Sequence, residues 1–184
     1  MDYLEELKRY EPYNDQEKAT KELMLQAISI FNDAILSREN QIAHFSASSM
    51  ILNEDHTKVL MIYHNIYKSW SWTGGHADEE KEMLSVALKE AKEETGLQEL
   101  RLLKEGLWGI EALPVTGHVK RGNYVATHLH LNFSYLFEAD ENQPLRIKED
   151  ENSGVMWIEL NQLANYVNEE EMLPIYQKLL REYL

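Results

Sequence analysis

From Asn14 to Leu36 apolar side chains return at helical spacing, with Leu23, Ala27, Ile30, Phe31 and Ala34 on one stripe. Asn14 or Asp15 can cap that stripe, which predicts a helix over 14–36. From about His44 the period shortens to two. HFSASSMIL (44–52) and KVLMIYHN (58–65) read as strands, and the turn-forming Asn53-Glu54-Asp55-His56 between them predicts a hairpin. A short strand, SWSWT (69–73), runs into Gly74-Gly75. A helix is predicted over 79–95, where Leu84, Ala87, Leu88 and Ala91 form an apolar stripe and Gly96 supplies the stop. Further strands are expected at 99–104, 107–113, 125–138 and 154–159. In the long one, Leu129, Leu131, Phe133, Tyr135 and Phe137 alternate with His128, His130 and Asn132, so the two sets face opposite sides. Residues 161–184 read as helical, interrupted near Pro174.

This order of strands, one central helix, more strands and a terminal helix implies an α+β fold, layered around a mixed β-sheet. The division expected is an N-terminal helical extension over 1–40 and one globular domain over 41–184. The extension is expected to pack against the core or a second copy of the chain, which would make a homodimer.

Composition narrows the function. With 184 residues, 43% hydrophobic and 27% charged, the chain has the make-up of an ordinary globular protein. No run approaches the roughly 20 apolar residues of a membrane span, and MDYLEELKRY is acidic where a secretion signal would be basic, so the expectation is a cytoplasmic protein without membrane contact. The absence of cysteine removes disulfides, thiolate metal sites and cysteine nucleophiles. A formal net charge of −14 opposes binding to polymeric DNA or RNA. A small anion is still admissible, because a bound divalent cation reverses the local field.

The chemistry concentrates in residues 75–97. Glu90, Glu93 and Glu94 stand at i, i+3 and i+4 and share one helix face. Three carboxylates at one place repel each other unless cations neutralise them, and Mg²⁺ or Mn²⁺ prefers oxygen ligands. An isolated acidic helix face is ordinarily just solvated surface. Here, however, a strand and a glycine pair precede the acids, and Gly96-Leu97 ends the helix just after them. The glycine pair is expected to use positive φ to turn the loop back onto the helix.

This arrangement resembles the Nudix box, G-x5-E-x7-R-E-U-x-E-E-x-G-U with U apolar. Gly75, Glu90, Ala91, Glu93, Glu94, Gly96 and Leu97 fall on its positions. Lys81 stands where the pattern has Glu, and Lys89 where it has Arg; Glu80 and Glu82 flank the first of these positions and could substitute for its carboxylate. The resemblance implies a Nudix-like α/β/α sandwich and a hydrolase cleaving a diphosphate linkage in a small phosphorylated substrate, such as a nucleoside triphosphate, ADP-ribose or a nucleotide sugar. It implies that Glu90, Glu93, Glu94 and Gly75 hold Mg²⁺ or Mn²⁺, with Lys89 orienting Glu90. GGHAD, with HFSAS before it and HLHLNFSYL after it, is similar to a bacterial group within that family. The rival reading is a Nudix-fold module that binds a nucleotide without cleaving it, motivated by Lys81 and Lys89.

Other candidates are singled out by position. Glu149 and Glu151, in the loop before VMWIEL, are candidates for a general base. His76, next to the glycines, and His128 and His130, on one strand face, are candidate substrate contacts. Lys120 and Arg121, in the most basic stretch of the chain, are candidates for holding phosphate. For each of these the plain alternative is a solvated loop or a structural polar group.

Overall fold

The computed structural model describes residues 1–184 apart from Arg121, and of Lys120 only the backbone. Two helices come first, α1 (Tyr3–Arg9) and α2 (Asp15–Phe31), each capped by a side chain: Asp2 accepts from Leu4 N–H and Asn14 from Glu17 N–H. The strands are β1 (Ala43–Asn53), β2 (Lys58–His64), β3 (Ser69–Ser71), β4 (Thr73–His76), β5 (Arg101–Leu102), β6 (Gly109–Val115), β7 (His118–Lys120), β8 (Asn123–Val125), β9 (His128–Ala139) and β10 (Asn152–Glu159). Helix α3 (Met83–Thr95) lies between β4 and β5, and α4 (Leu173–Leu179) closes the chain.

Eight strands make one mixed sheet, ordered β10-β2-β1-β9-β5, with β3 on β2, β4 on β1 and β6 on β9; β7 and β8 form a separate hairpin. The expected 44–65 hairpin is present, but its partners part quickly. β1 meets β2 only through Ile51↔Leu60 and Leu52↔Val59, and then takes β4 along Ser46–Ser49. On its other side β1 runs parallel to β9 over its whole length, from Ala43↔Leu129 to Asn53↔Ala139. That long parallel pair, buried on both faces, is the centre of the domain.

Parity sorts the two faces. Phe45, Ala47, Ile51, Leu131, Phe133, Tyr135 and Phe137 lie in an apolar cluster with Met83, Ala87 and Ala91 of α3 and with Tyr3, Leu7 and Met24 of the N-terminal helices. Met50, Leu52 and Leu136, of the opposite parity, pack with Leu163, Tyr176 and Leu179 on the other side. Helices thus cover both faces, the α/β/α sandwich expected. Between those apolar patches the second face carries a buried polar stripe: the Ser46 and Ser48 hydroxyls donate to Asn132 Oδ1, and Ser134 donates to Glu111 Oε2 at 2.7 Å.

Several elements differ from expectation: the helix expected over 14–36 ends at Phe31 and passes, with Asn32 at φ 52°, into a 3-10 turn over Asn32–Leu36, and the strand expected over 99–104 shortens to Arg101–Leu102. Helix α3 begins at Met83 rather than near Glu79, because Asp78 and Glu79 take left-handed φ values of 46° and 76° that no right-handed helix can include. SWSWT divides at Trp72, so the glycines lie within β4 rather than after the strand. The C-terminal segment is not one interrupted helix: a 3-10 turn over Leu160–Asn165 precedes α4, and Pro174 opens α4, where its missing N–H costs nothing. Among the described residues no helix is long and apolar enough to cross a membrane.

Candidate metal and diphosphate site

The last two turns of α3 lie beside β4, and the contact between them explains the glycines. A side chain at Gly75 would place its Cβ 2.6 Å from Glu90 Cδ, and one at Gly74 would meet Ser48 Oγ at 2.5 Å. Both glycines are therefore needed for space. The positive φ expected of them falls instead on Asp78 and Glu79, which turn the loop toward the helix.

Each of the three acids has its own setting. Glu94 is 2% exposed, and one of its oxygens accepts from Gly74 N–H at 2.9 Å. Burial pushes its carboxyl up to about 9, against the stabilising Gly74 hydrogen bond. Glu90, seated over Gly75, is also raised, first by burial, with nearby lysines opposing. Glu93 is more exposed and stands at the rim.

A lysine that carried no signal in the sequence joins them. Lys148 Nζ lies 3.2 Å from Glu93, 3.1 Å from Glu151 and 3.8 Å from Glu90. Its partial burial works against the charge, yet the bonds to Glu151 and Glu93 hold the ammonium well above the usual lysine range. Two contacts dock this loop to the end of α3: Arg146 N–H donates to the Thr95 carbonyl at 2.7 Å, and the Asn152 side chain donates to the Glu94 carbonyl at 2.9 Å. Gly96, at φ 81°, lets the chain turn beneath them.

Glu151 is thus brought to the acids through Lys148. Glu149 is exposed, and its carbonyl accepts from the Asn65 side chain. Lys89 Nζ lies 3.6 Å from Glu90 and 3.9 Å from Glu93, close enough to bias both, without the two-pronged grip an arginine would give. Lys81 pairs with Asp33 at 2.5 Å, Glu80 accepts from the Lys81 and Glu82 amides, and Glu82 takes the N-terminal ammonium. Lys81 and Glu82 thus reach the N-terminal segment while Glu80 holds the amides of its own neighbours, and neither flanking glutamate joins the carboxylates of α3.

The histidines fall on the other side of the sheet. His76 pairs with Ser46 and Gly75 with Ala47, so if Gly75 faces α3 then His76 faces away. There it meets His130, with the Nε2 atoms 3.3 Å apart, and His128 and His44 are in ring contact with them. His44 was not anticipated; its only signal was parity with Ser46 and Ser48. Burial lowers its pKa. Of the two phosphate candidates, Arg121 lies outside the described residues and Lys120 contributes backbone to the β7–β8 hairpin.

Carboxylates graded from buried Glu94 to exposed Glu93 thus stand beside a glycine strand on a helix ended by glycine, and the NUDIX domain matches residues 43–183. The chain belongs to the Nudix family. That membership places it among enzymes that hydrolyse pyrophosphate bonds, as its residue pattern implied. A relative described as a probable DHNTP pyrophosphohydrolase of Lactococcus lactis subsp. cremoris is 25% identical over 142 residues, covering 77% of this chain and 81% of that protein. Among solved structures, a Nudix-family hydrolase of Clostridium perfringens superposes with a TM-score of 0.56 at 22% identity, covering 76% of this chain and 97% of that one. The dihydroneopterin triphosphate pyrophosphohydrolase of E. coli gives 0.59 at 13% identity, over 75% and 95% respectively. At these identities the structural likenesses speak for the fold.

Proposed function

We propose that this Nudix protein is a Mg²⁺- or Mn²⁺-dependent hydrolase that cleaves a diphosphate linkage in a small nucleoside triphosphate or nucleoside diphosphate derivative. The observation that carries the reading is the convergence of Glu90, Glu93, Glu94 and Glu151 on one locus where the ammonium of Lys148 already stands as a cation. The donors fit a hard divalent ion: all are carboxylate oxygens, and Gly75 leaves the room that a side chain would fill. Glu90, Glu93 and Glu94 would hold the ion, which when bound would clamp the diphosphate and lower the pKa of a water.

The chain's own residues divide the remaining work. The Gly74 N–H fixes the orientation of Glu94. Lys89 and Lys148 offset part of the burial that raises the Glu90 carboxyl, and both lie close to Glu93 at the rim. Glu151 is the better placed of the two candidate bases, because Lys148 ties it to the acidic face. The names of the Lactococcus relative and the E. coli neighbour support including a pterin triphosphate beside the nucleotide substrates.

Glu93→Gln and Glu94→Gln should each lower Mg²⁺-dependent turnover by about two orders of magnitude or more, since one displaced group in such a site costs on that scale. The assay is product release from a panel of nucleoside triphosphates, nucleotide sugars, ADP-ribose and dihydroneopterin triphosphate. Turnover unchanged in both variants refutes the assignment. Saturable nucleotide binding without product from any substrate favours the non-catalytic module.

A further inference from the structure

Four histidines meet on the sheet face away from α3, and their arrangement is more specific than chance polarity. β1 and β9 are parallel neighbours with His44 opposite His130, and β4 adds His76 from the other side. One ring nitrogen from each of His44, His76 and His130 lies within 4.8 Å of the others. His128, two residues before His130 on the same strand face, brings its Nε2 to 3.3 Å from His130 Nε2.

The hydrogen positions follow from the carbonyls around the cluster. His44 Nδ1 faces the Asn40 carbonyl at 3.0 Å, and His128 Nδ1 faces the Ala126 carbonyl at 2.8 Å. A carbonyl only accepts, so in each neutral ring Nδ1 carries the proton and Nε2 presents a lone pair. For His44 that lone pair is buried, with no hydrogen-bond partner, in a residue only 4% exposed. For His128 it points at His130 Nε2, which also lies 3.3 Å from His76 Nε2.

We propose that His44, His76 and His130 form a second metal site, for a borderline transition-metal ion such as Zn²⁺ or Co²⁺, with His128 poised as fourth ligand. Zn–N bonds of about 2.0–2.1 Å in a tetrahedron put ligand nitrogens about 3.3–3.4 Å apart, the separation two of these pairs already have. Nδ1 bound to a backbone carbonyl while Nε2 is directed inward is the outer-sphere arrangement that fixes a metal-binding imidazole. Imidazole selects such ions over Mg²⁺, which takes oxygen, so the two sites would hold different metals. His76 and His130 are partly exposed and give the ion a way in, whereas His44 and His128 are buried. This inference does not depend on the hydrolase reading, since none of its ligands lies on α3.

The test uses the chelator-treated full chain carrying Glu93→Gln and Glu94→Gln, which disables the acidic site. Titration with Co²⁺, followed by calorimetry and by the visible absorption of tetrahedral cobalt, should give one ion per chain that excess Mg²⁺ does not displace. Adding His130→Ala or His76→Ala should weaken binding by more than the ~10-fold lost with an outer-sphere partner, and His128→Ala by less. Thermal melting of these variants confirms that they fold, and the partial exposure of residues 76 and 130 favours this. No saturable Co²⁺ or Zn²⁺ binding in the acid-disabled chain overturns the proposal. So does binding that neither His130→Ala nor His76→Ala weakens. In the otherwise unsubstituted enzyme, a raised KM for the diphosphate substrate in those two variants, with metal affinity unchanged, would assign the rings to substrate contact instead.

Discussion

A methyl group at position 75 would stand 2.6 Å from Glu90 Cδ, so Gly75→Ala must push that carboxylate off its seat. Because the backbone there is ordinary strand, the change costs space and not conformation. The expected outcome is a fall in kcat/KM of about 10²-fold with little change in melting temperature, read by steady-state kinetics and a thermal melt. Glu90, Glu93 and Glu94 could be found from sequence because their relation is local: i, i+3 and i+4 share a face in any α-helix. Lys148 could not, being 55 residues from Glu93 and placed by a loop whose course depends on two hydrogen bonds to the end of α3. His44 was hidden for the same reason, since strand periodicity gives the face of a residue but not the strand beside it.

At the level of elements, α3 depends on how it stops. Gly96 sits at φ 81°, and a Cβ there would come within 2.9 Å of Arg146 N. Gly96→Ala should therefore destabilise the fold by about 1–2 kcal/mol from the left-handed backbone alone. Chemical denaturation measures that loss, and activity should suffer further, because the same turn carries the loop bearing Lys148 and Glu151. The stop was legible, as glycine after an apolar stripe is a local signal. The start was misread by four residues, since Asp78 and Glu79 in left-handed conformations cannot be inferred from residue types that also favour helical first turns. Strand positions were mostly recovered, while their pairing beyond the first hairpin was not, because β1 finds β9 across more than 80 residues.

The whole molecule is tied together by buried charge as well as by apolar packing. Lys178 of α4 reaches Glu17 of α2 and Glu111 of β6, each at 2.7 Å, and all three are nearly or fully buried. Lys178→Met leaves two carboxylates without their cation and should cost about 3–5 kcal/mol in denaturant unfolding. A second test concerns pH. Glu6 of α1 accepts from Tyr135 of β9 at 2.7 Å, and burial raises its pKa despite that bond and the N-terminal ammonium, with Glu82 adding to the rise. A raised folded pKa means that its favourable contribution is full below the ordinary carboxylate value and is lost as pH rises through the folded one. Glu6→Gln keeps an acceptor for Tyr135 without the charge, so its melting temperature should exceed that of the parent at neutral pH and converge with it near pH 4. What the sequence determined unaided was everything carried by neighbours along the chain: the periods of helix and strand, the acidic face, the glycines and the family pattern. Tertiary structure alone decided which distant groups share a site, namely the lysine among the glutamates, the base candidate beside them and the four imidazoles on the opposite face. Coulomb and coordination forces act over a few ångströms of space, and only the folded chain brings residues that far apart in sequence within that range.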